Sequence, residues 1–152
     1  MTPVHAVTLP DGHVVSDDRR RLDMDAVHAA LSTAYWSAGR PRAVTERAWA
    51  HSLPVVVTAP DGAVAGFARL VTDRALRAHL ADVFVRPASR GLGLGRAMVD
   101  YVLSHPALAT VTHWTLTTRD AHGLYARLGF ESAPADPDSM TMVRRPAGQP
   151  GT

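Results

Sequence analysis

Two hydrophobic rhythms divide this chain. The two-residue rhythm of half-buried strands runs through Leu53–Ala59 and Ala63–Val71. The turn signal Pro60-Asp61-Gly62 joins them, so the pair reads as a β-hairpin. Arg77–Val85 predicts a further strand, and Val111–Thr117, rich in β-branched residues, another. Val4–Thr8 and His13–Val15 flank Pro10-Asp11-Gly12 and predict a first strand or hairpin. The helical rhythm begins where Asp23 can cap Met24–Trp36, which carries Val27, Ala30, Leu31, Ala34 and Tyr35 on one face. Gly39 stops that helix, Pro41 suits the first position of a second one to about His51, and Pro54 closes it. From Leu94 a third helix places Leu94, Ala97, Met98, Tyr101 and Val102 together and ends at Ser104 or His105, before Pro106. Asp120 can cap a short helix to Leu128, with Gly129 as its stop. Phe130–Ala133 and Ser139–Arg144 predict short strands, and Pro146–Thr152 a frayed tail.

The order is β-α-α-β-β-β-α-β-α-β-β. Helices interrupt strands and hairpins also occur, so the expectation is an α/β (α+β) fold with a mixed, mostly antiparallel sheet and flanking helices. A chain of 152 residues suits one domain, here 1–145, followed by the tail 146–152. Composition changes the picture mainly by exclusion. No apolar run reaches the roughly 18 residues of a membrane span. Pro3, His5, Pro10 and Asp11 interrupt what a secretory leader would need, so no export signal is read and the cytoplasm is the default. The chain has no cysteine, hence no disulfide, thiolate ligand or cysteine nucleophile. Its eight histidines show no metal-ligand spacing, and no metal is expected. The formal charge is only +2 although the pI is near 9.7, because arginine, with no lysine at all, supplies every permanently charged basic side chain. Arg19-Arg20-Arg21 lies among Asp17, Asp18, Asp23 and Asp25 and reads as a solvated loop of mixed charge rather than a nucleic-acid patch.

The chemistry concentrates in Arg90-Gly91-Leu92-Gly93-Leu94-Gly95-Arg96, between a strand and a helix start. The first amides of a helix have no intrahelical partner, and the helix dipole adds partial positive charge there. Glycines allow positive φ and close approach of an anion, and two arginines bracket the turn with fixed charge. This predicts a phosphorylated cofactor. A dinucleotide fold wants G-x-G-x-x-G early in a βαβ unit, and a triphosphate loop wants Gly-Lys-Ser/Thr; neither is present.

What the turn does match is Arg90-x-x-Gly93-x-Gly95, which resembles the pyrophosphate-binding motif of the GNAT superfamily of acyl-CoA-dependent N-acyltransferases. Asp120-Ala121-His122-Gly123-Leu124-Tyr125-Ala126-Arg127-Leu128-Gly129-Phe130, about 30 residues on, is similar to that family's A-x-x-L-Y-x-x-x-G-F segment. The resemblance covers roughly Val64 to Glu131. It implies that strands Arg77–Val85 and Val111–Thr117 splay apart and that acetyl-CoA lies in the gap. It implies further that amides around Val83, Phe84 and Val85 bond the pantetheine arm and acetyl carbonyl, while the turn from Arg90 to Arg96 holds the pyrophosphate. Tyr125 takes the position of general acid to the coenzyme A thiolate. The bare residues equally allow a half-buried core tyrosine beside Leu124 and Leu128.

Asp82 stands alone as a carboxylate in an apolar run. It is a candidate general base if burial lifts its pKa, or else a partner of Arg69, Arg77 or a backbone amide. His79 is a second candidate; strand alternation puts it opposite Asp82 unless a bulge intervenes. His122, at i, i+3 from Tyr125, could line the channel or sit at the surface. Thr118 replaces an Asn common in the family, so a cofactor contact is lost or falls to Arg119 or Asp120. In such folds the loop Tyr35–Arg42 borders the acceptor. Its aromatics, Tyr35 and Trp36, suit an apolar or cationic amine, or serve as core anchors; its arginines suit a carboxylate. The expected partners are acetyl-CoA and a small-molecule primary amine, on a monomer or homodimer. A non-catalytic acyl-CoA sensor, a protein N-terminal or lysine acetyltransferase, and a nucleotide-binding protein are the alternatives.

Overall fold

The structure, a computed structural model, describes residues 3–119, 121–132 and 141–145. The described strands are β1 (Ala6–Thr8), β2 (Val14–Ser16), β3 (Leu53–Thr58), β4 (Val64–Thr72), β5 (Arg77–Val85), β6 (His113–Thr117), β7 (Glu131–Ser132) and β8 (Thr141–Arg144). They form one sheet in the order β1-β2-β3-β4-β5-β6-β8-β7. Neighbours along the chain pair antiparallel through β5. The β5–β6 pair is parallel, with the helix α3 (Leu94–Ser104) in its crossover, and β8 then returns antiparallel beside β6. The mixed sheet expected from the element order is therefore present.

Helices cover both faces, which is why every residue of β3 is buried. On one face Leu94, Met98, Val99 and Val102 of α3 meet Val55, Val57, Ala68, Leu70 and Leu80. On the other, Val27 and Leu31 of α1 (Met24–Ser32) and Trp49 of α2 (Arg42–Ala50) pack on Phe67, whose ring stacks on Phe84 at 5.3 Å. The β1–β2 hairpin is tied to α3 through Tyr101, whose hydroxyl donates to the His5 carbonyl at 2.7 Å, and through His105 Nε2 against Asp17 at 2.9 Å.

Three local differences from the sequence expectation have physical causes. The first helix stops at Ser32 instead of reaching Trp36. The Thr33 hydroxyl donates to the Ala30 carbonyl and the Ser37 hydroxyl to that of Leu31, so side chains take up carbonyls that a continuing helix would use. Pro41 caps the second helix from outside rather than opening it. Arg19 is not merely solvated: it donates to the Trp49 carbonyl at 2.7 Å and to the Ser52 carbonyl, holding the C-terminal end of α2. Arg20 and Arg21 do pair with Asp18. The expected cap Asp120 and the tail 146–152 lie outside the described residues.

One bulge sets the site. Phe67 pairs with Phe84, but Arg69 pairs with Ala81, so β5 carries one extra residue against β4. Asp82 occupies it in the left-handed region, φ 52°. The insertion reverses the side-chain phase. Ala78 and Leu80 face the α3 core before it, Val83 and Val85 after it, and Phe84 turns to the α1–α2 side. On its other edge β5 pairs with β6 only as far as Leu80–Leu116. From Ala81 onward β5 pairs with no strand there among the described residues, and the two strands splay.

Gly66 lets β4 follow this bend. A Cβ at that position would stand 2.8 Å from the Phe84 carbonyl oxygen. We therefore expect Gly66→Ala to destabilise the protein by about 1–3 kcal/mol, the usual cost of overpacking. Urea unfolding measures this; a change below about 0.3 kcal/mol would contradict the close approach.

Candidate active site

The gap left by the splay is a cleft of about 560 Å³. One wall is β5, through His79, Leu80, Ala81, Asp82 and Val83. The opposite wall is the end of β6 with the segment leading into α4 (His122–Ala126), through Leu116, Thr117, Thr118, Ala121 and Tyr125. Tyr35, Trp36, Arg40 and Arg69 complete it. The bulge places His79 and Asp82 in the same cleft, although plain alternation would have separated them.

Asp82 is the most constrained group in the cleft. Its side chain is 1% exposed. Oδ2 accepts from Arg69 Nε at 2.7 Å and Arg40 Nη1 at 3.0 Å; Oδ1 accepts from Trp36 Nε1 at 3.1 Å and Arg40 Nη2 at 3.2 Å. Burial alone would raise its pKa, but the hydrogen bonds from Arg40 and Arg69, together with their charges, outweigh it and hold the carboxyl below its ordinary value. Of the two readings of Asp82, this favours the ion-paired one: four donors already sit on its two oxygens, and burial does not lift its pKa overall. Of its foreseen partners Arg69 is present, whereas Arg77 is not among them. His79 Nδ1 lies 2.7 Å from the Thr115 hydroxyl, and burial, then the Arg69 charge, push its pKa down, which favours the neutral ring.

Tyr125 is 7% exposed and lines the cleft while its ring packs edge-on to Phe130 at 6.0 Å. The core and cleft readings of this residue are not exclusive: the ring belongs to the core cluster, and the same side chain borders the gap. Thr118, buried, accepts from the Ala121 amide at 3.0 Å and so caps the turn into α4. Tyr35 and Trp36 line the mouth, each more than 40% exposed, and are not core anchors. Tyr35 accepts from the Arg119 amide at 3.1 Å, and the Arg119 guanidinium lies 3.7 Å over its ring. Asp120 lies outside the described residues.

The glycine turn follows β5 after the short turn Pro87–Ser89. Gly91 and Gly93 have φ of 84° and 76°, and a Cβ on either would meet no heavy atom within 4 Å. Gly93 precedes α3, and no side chain caps that helix. Its first amides therefore have no side-chain partner, which is the arrangement that suits an anion. Arg90 Nε donates to the Val85 carbonyl at 3.2 Å, and Arg96 pairs loosely with Asp100 at 3.7 Å. Leu94 is 2% exposed, so only its backbone could serve a ligand, whereas Leu92 is exposed. A Cβ on Gly95 would stand 3.9 Å from Leu124, which sets the first turn of α3 against α4, next to Tyr125. Val83 and Val85 pack on the main core and Phe84 on the second cluster, leaving their backbone as what the gap can use. Among the described residues no cluster of His, Asp and Glu is placed to hold a metal, and no helix is long and apolar enough to cross a membrane.

Comparison with known proteins agrees with this geometry. The family model described as "Acetyltransferase (GNAT) family" matches residues 23–130, more than half of the chain. A structure from Xanthomonas campestris pv. campestris, assigned to the GNAT family, superposes with a TM-score of 0.75 at 40% identity, covering 88% of both chains. An aminoglycoside 6'-N-acetyltransferase complexed with coenzyme A shares the fold, with a TM-score of 0.70 at 13% identity over 90% of this chain and 99% of that one. The "uncharacterized N-acetyltransferase ycf52" of Pyropia yezoensis is 33% identical over 76 residues, which is 49% of this chain and 42% of that protein. The chain thus spans less than half the length of the curated relatives it matches. Fold, cleft and glycine turn together with these matches place the chain in the GNAT acetyltransferase family.

Proposed function

We propose that this protein is an N-acetyltransferase that moves the acetyl group of acetyl-CoA to a primary amine of a small molecule, with both substrates bound together. The observation that carries this reading is the continuity of three features along one strand: the bulge at Asp82, the unpaired edge of β5 beyond Leu80, and the uncapped glycine turn beyond Val85. A pyrophosphate suits the turn, and amides on the free edge of β5 need a partner. The relative solved with coenzyme A has the same fold. The cytoplasm, the expected compartment, suits a consumer of acetyl-CoA.

Acetyl-CoA supplies the acetyl group as a thioester. The protein's part is to hold that group beside the amine, which can remove about 7–11 kcal/mol from a bimolecular barrier. In this reading amides of Val83–Val85 fix the acetyl carbonyl and favour charge developing on its oxygen. The amine attacks the carbonyl carbon, a C–N bond replaces the C–S bond, and Tyr125 returns a proton to the departing sulfur. A phenol with a pKa of about 10 matches a thiolate of comparable basicity. Asp82, saturated by its four donors, fixes the bulge and is not assigned the base. His79, neutral and in the cleft, is the side chain able to accept the ammonium proton directly or through water.

Acetyl-CoA at a hundredfold excess over its dissociation constant should add about 2.7 kcal/mol and raise the melting temperature by roughly 5–10 °C. No shift at millimolar acetyl-CoA, with folded protein, would remove the cofactor assignment.

Gly93→Val should weaken acetyl-CoA binding at least about tenfold while the fold survives, because a branched residue takes positive φ at a cost of about 1–2 kcal/mol and obstructs the anion. Titration calorimetry tests this, and unchanged affinity would argue against a phosphate turn.

Tyr125→Phe keeps the ring but loses the proton. With an acceptor in hand, turnover should fall by about 10²–10⁴, while acetyl-CoA affinity changes by no more than one hydrogen bond, about 0.5–1.5 kcal/mol. Turnover within about threefold of wild type, with chemistry limiting, would assign Tyr125 to packing alone.

A further inference from the structure

Among the described residues, the lining of the cleft carries more positive charge than its carboxylate can balance. Arg40 and Arg69 both line it, with side chains only 22% and 15% exposed. Asp82 is the only acidic side chain among the described residues of its lining. One carboxylate facing two guanidiniums leaves a net charge of +1, in surroundings where an unbalanced charge is costly. Unused donors accompany that charge. Arg69 spends Nε on Asp82 and Nη1 on Ser52, and Arg40 spends both terminal nitrogens on Asp82. Arg69 Nη2 and Arg40 Nε donate to no described residue, while Asp82 has no lone pair left for either.

The aromatic side of the mouth agrees. A bare Tyr35–Trp36 pair would suit a cationic acceptor. Here the Tyr35 ring already carries the Arg119 guanidinium at 3.7 Å, and the Trp36 N–H points at Asp82. The Tyr35 face is therefore already taken by one cation and is not bare for a second.

We infer that the acceptor is a small amine that also bears a carboxylate, with the carboxylate seated on Arg40 and Arg69 and the amine directed along the cleft toward Tyr125. This rests on the acetyltransferase reading and narrows its substrate to amino-acid-like molecules. Arginine suits the role because its planar fork binds carboxylates in fixed geometry.

The test is a matched panel: α- and ω-amino acids, their carboxamides, and the corresponding decarboxylated amines, each assayed with acetyl-CoA by release of free thiol. Melting shifts of the CoA-loaded protein are measured with the same compounds. The expected result is an acid preferred over its amide by at least about 100-fold in kcat/KM. Amidation makes an α-amine less basic, which by itself would favour the amide, so the expected preference runs against intrinsic reactivity.

Arg40→Gln should then raise KM for the acid and reduce that preference at least tenfold; because Arg40 also holds Asp82, the readout is the acid-to-amide ratio on the folded variant rather than its absolute turnover. If Arg40→Gln does not fold, the wild-type panel decides alone. Equal use of acid and amide, preference for the decarboxylated amine, or no response to any acid while acetyl-CoA binds would each overturn the inference. The first two outcomes would leave the acetyltransferase reading standing. Failure to bind acetyl-CoA would overturn both.

Discussion

The site depends on one buried ionic cluster, Asp82 held by Arg40, Arg69 and Trp36. An aspartate in the left-handed region in the middle of a strand is unfavourable unless its surroundings require it. Here four hydrogen bonds require it. They come from β4, through Arg69, and from the segment after α1, through Trp36 and Arg40. The cluster therefore joins three distant parts of the chain at the point where β5 changes phase. Breaking such a buried pair on one side costs far more than the intact cluster contributes, because the remaining charge is stranded. Its role is best described as specifying a shape: the bulge, the phase change and the departure of β5 from β6.

That shape carries both a cost and a use. A strand edge without a neighbour leaves backbone donors and acceptors that must find a partner. Beyond Leu80, β5 has such an edge, inside the molecule rather than at the rim of the sheet. The helix after it, preceded by Gly93, has no side-chain cap, so its first amides have no side-chain partner either. Two stretches of backbone, one without a strand partner among the described residues and one without a side-chain cap, lie in sequence along one strand and the turn after it. A ligand with a polar, extended arm and a phosphate end would satisfy both, which is how the fold and the proposed cofactor belong to one argument. Tyr125 stands on the opposite wall, next to Leu124, which lies close to Gly95 in the first turn of α3.

Much of this was legible in the sequence, and the parts that were not have a common cause. The glycine turn announced itself because positive φ, an open helix start and flanking arginines are all local properties, written in consecutive residues. The hairpin through Pro60-Asp61-Gly62 and the packing face of α3 were local in the same sense. The end of α1 is not legible locally because Thr33 and Ser37 fit a helix by pattern, and only their hydroxyl contacts show that they close it. The bulge was harder. Period-2 reasoning assumes an unbroken strand, and one inserted residue reverses every side chain after it. Its trace was visible: Asp82 falls in the apolar phase of Ala78 and Leu80, where a carboxylate cannot remain without donors. Arg69 could be named as a partner from the neighbouring strand. Arg40, 42 residues earlier, could not, because no local rule brings the segment after α1 to that point.

We propose that the free edge of β5 and the first turn of α3 form one binding surface for acetyl-CoA, held open by the Asp82 cluster. Amide hydrogen exchange with and without acetyl-CoA tests it most directly. The account predicts that binding slows exchange together at Val83–Val85 and at Leu94–Arg96, with much smaller changes in the β1–β2 hairpin. Slowing confined to one of these segments, or protection centred elsewhere in the sheet, would contradict it.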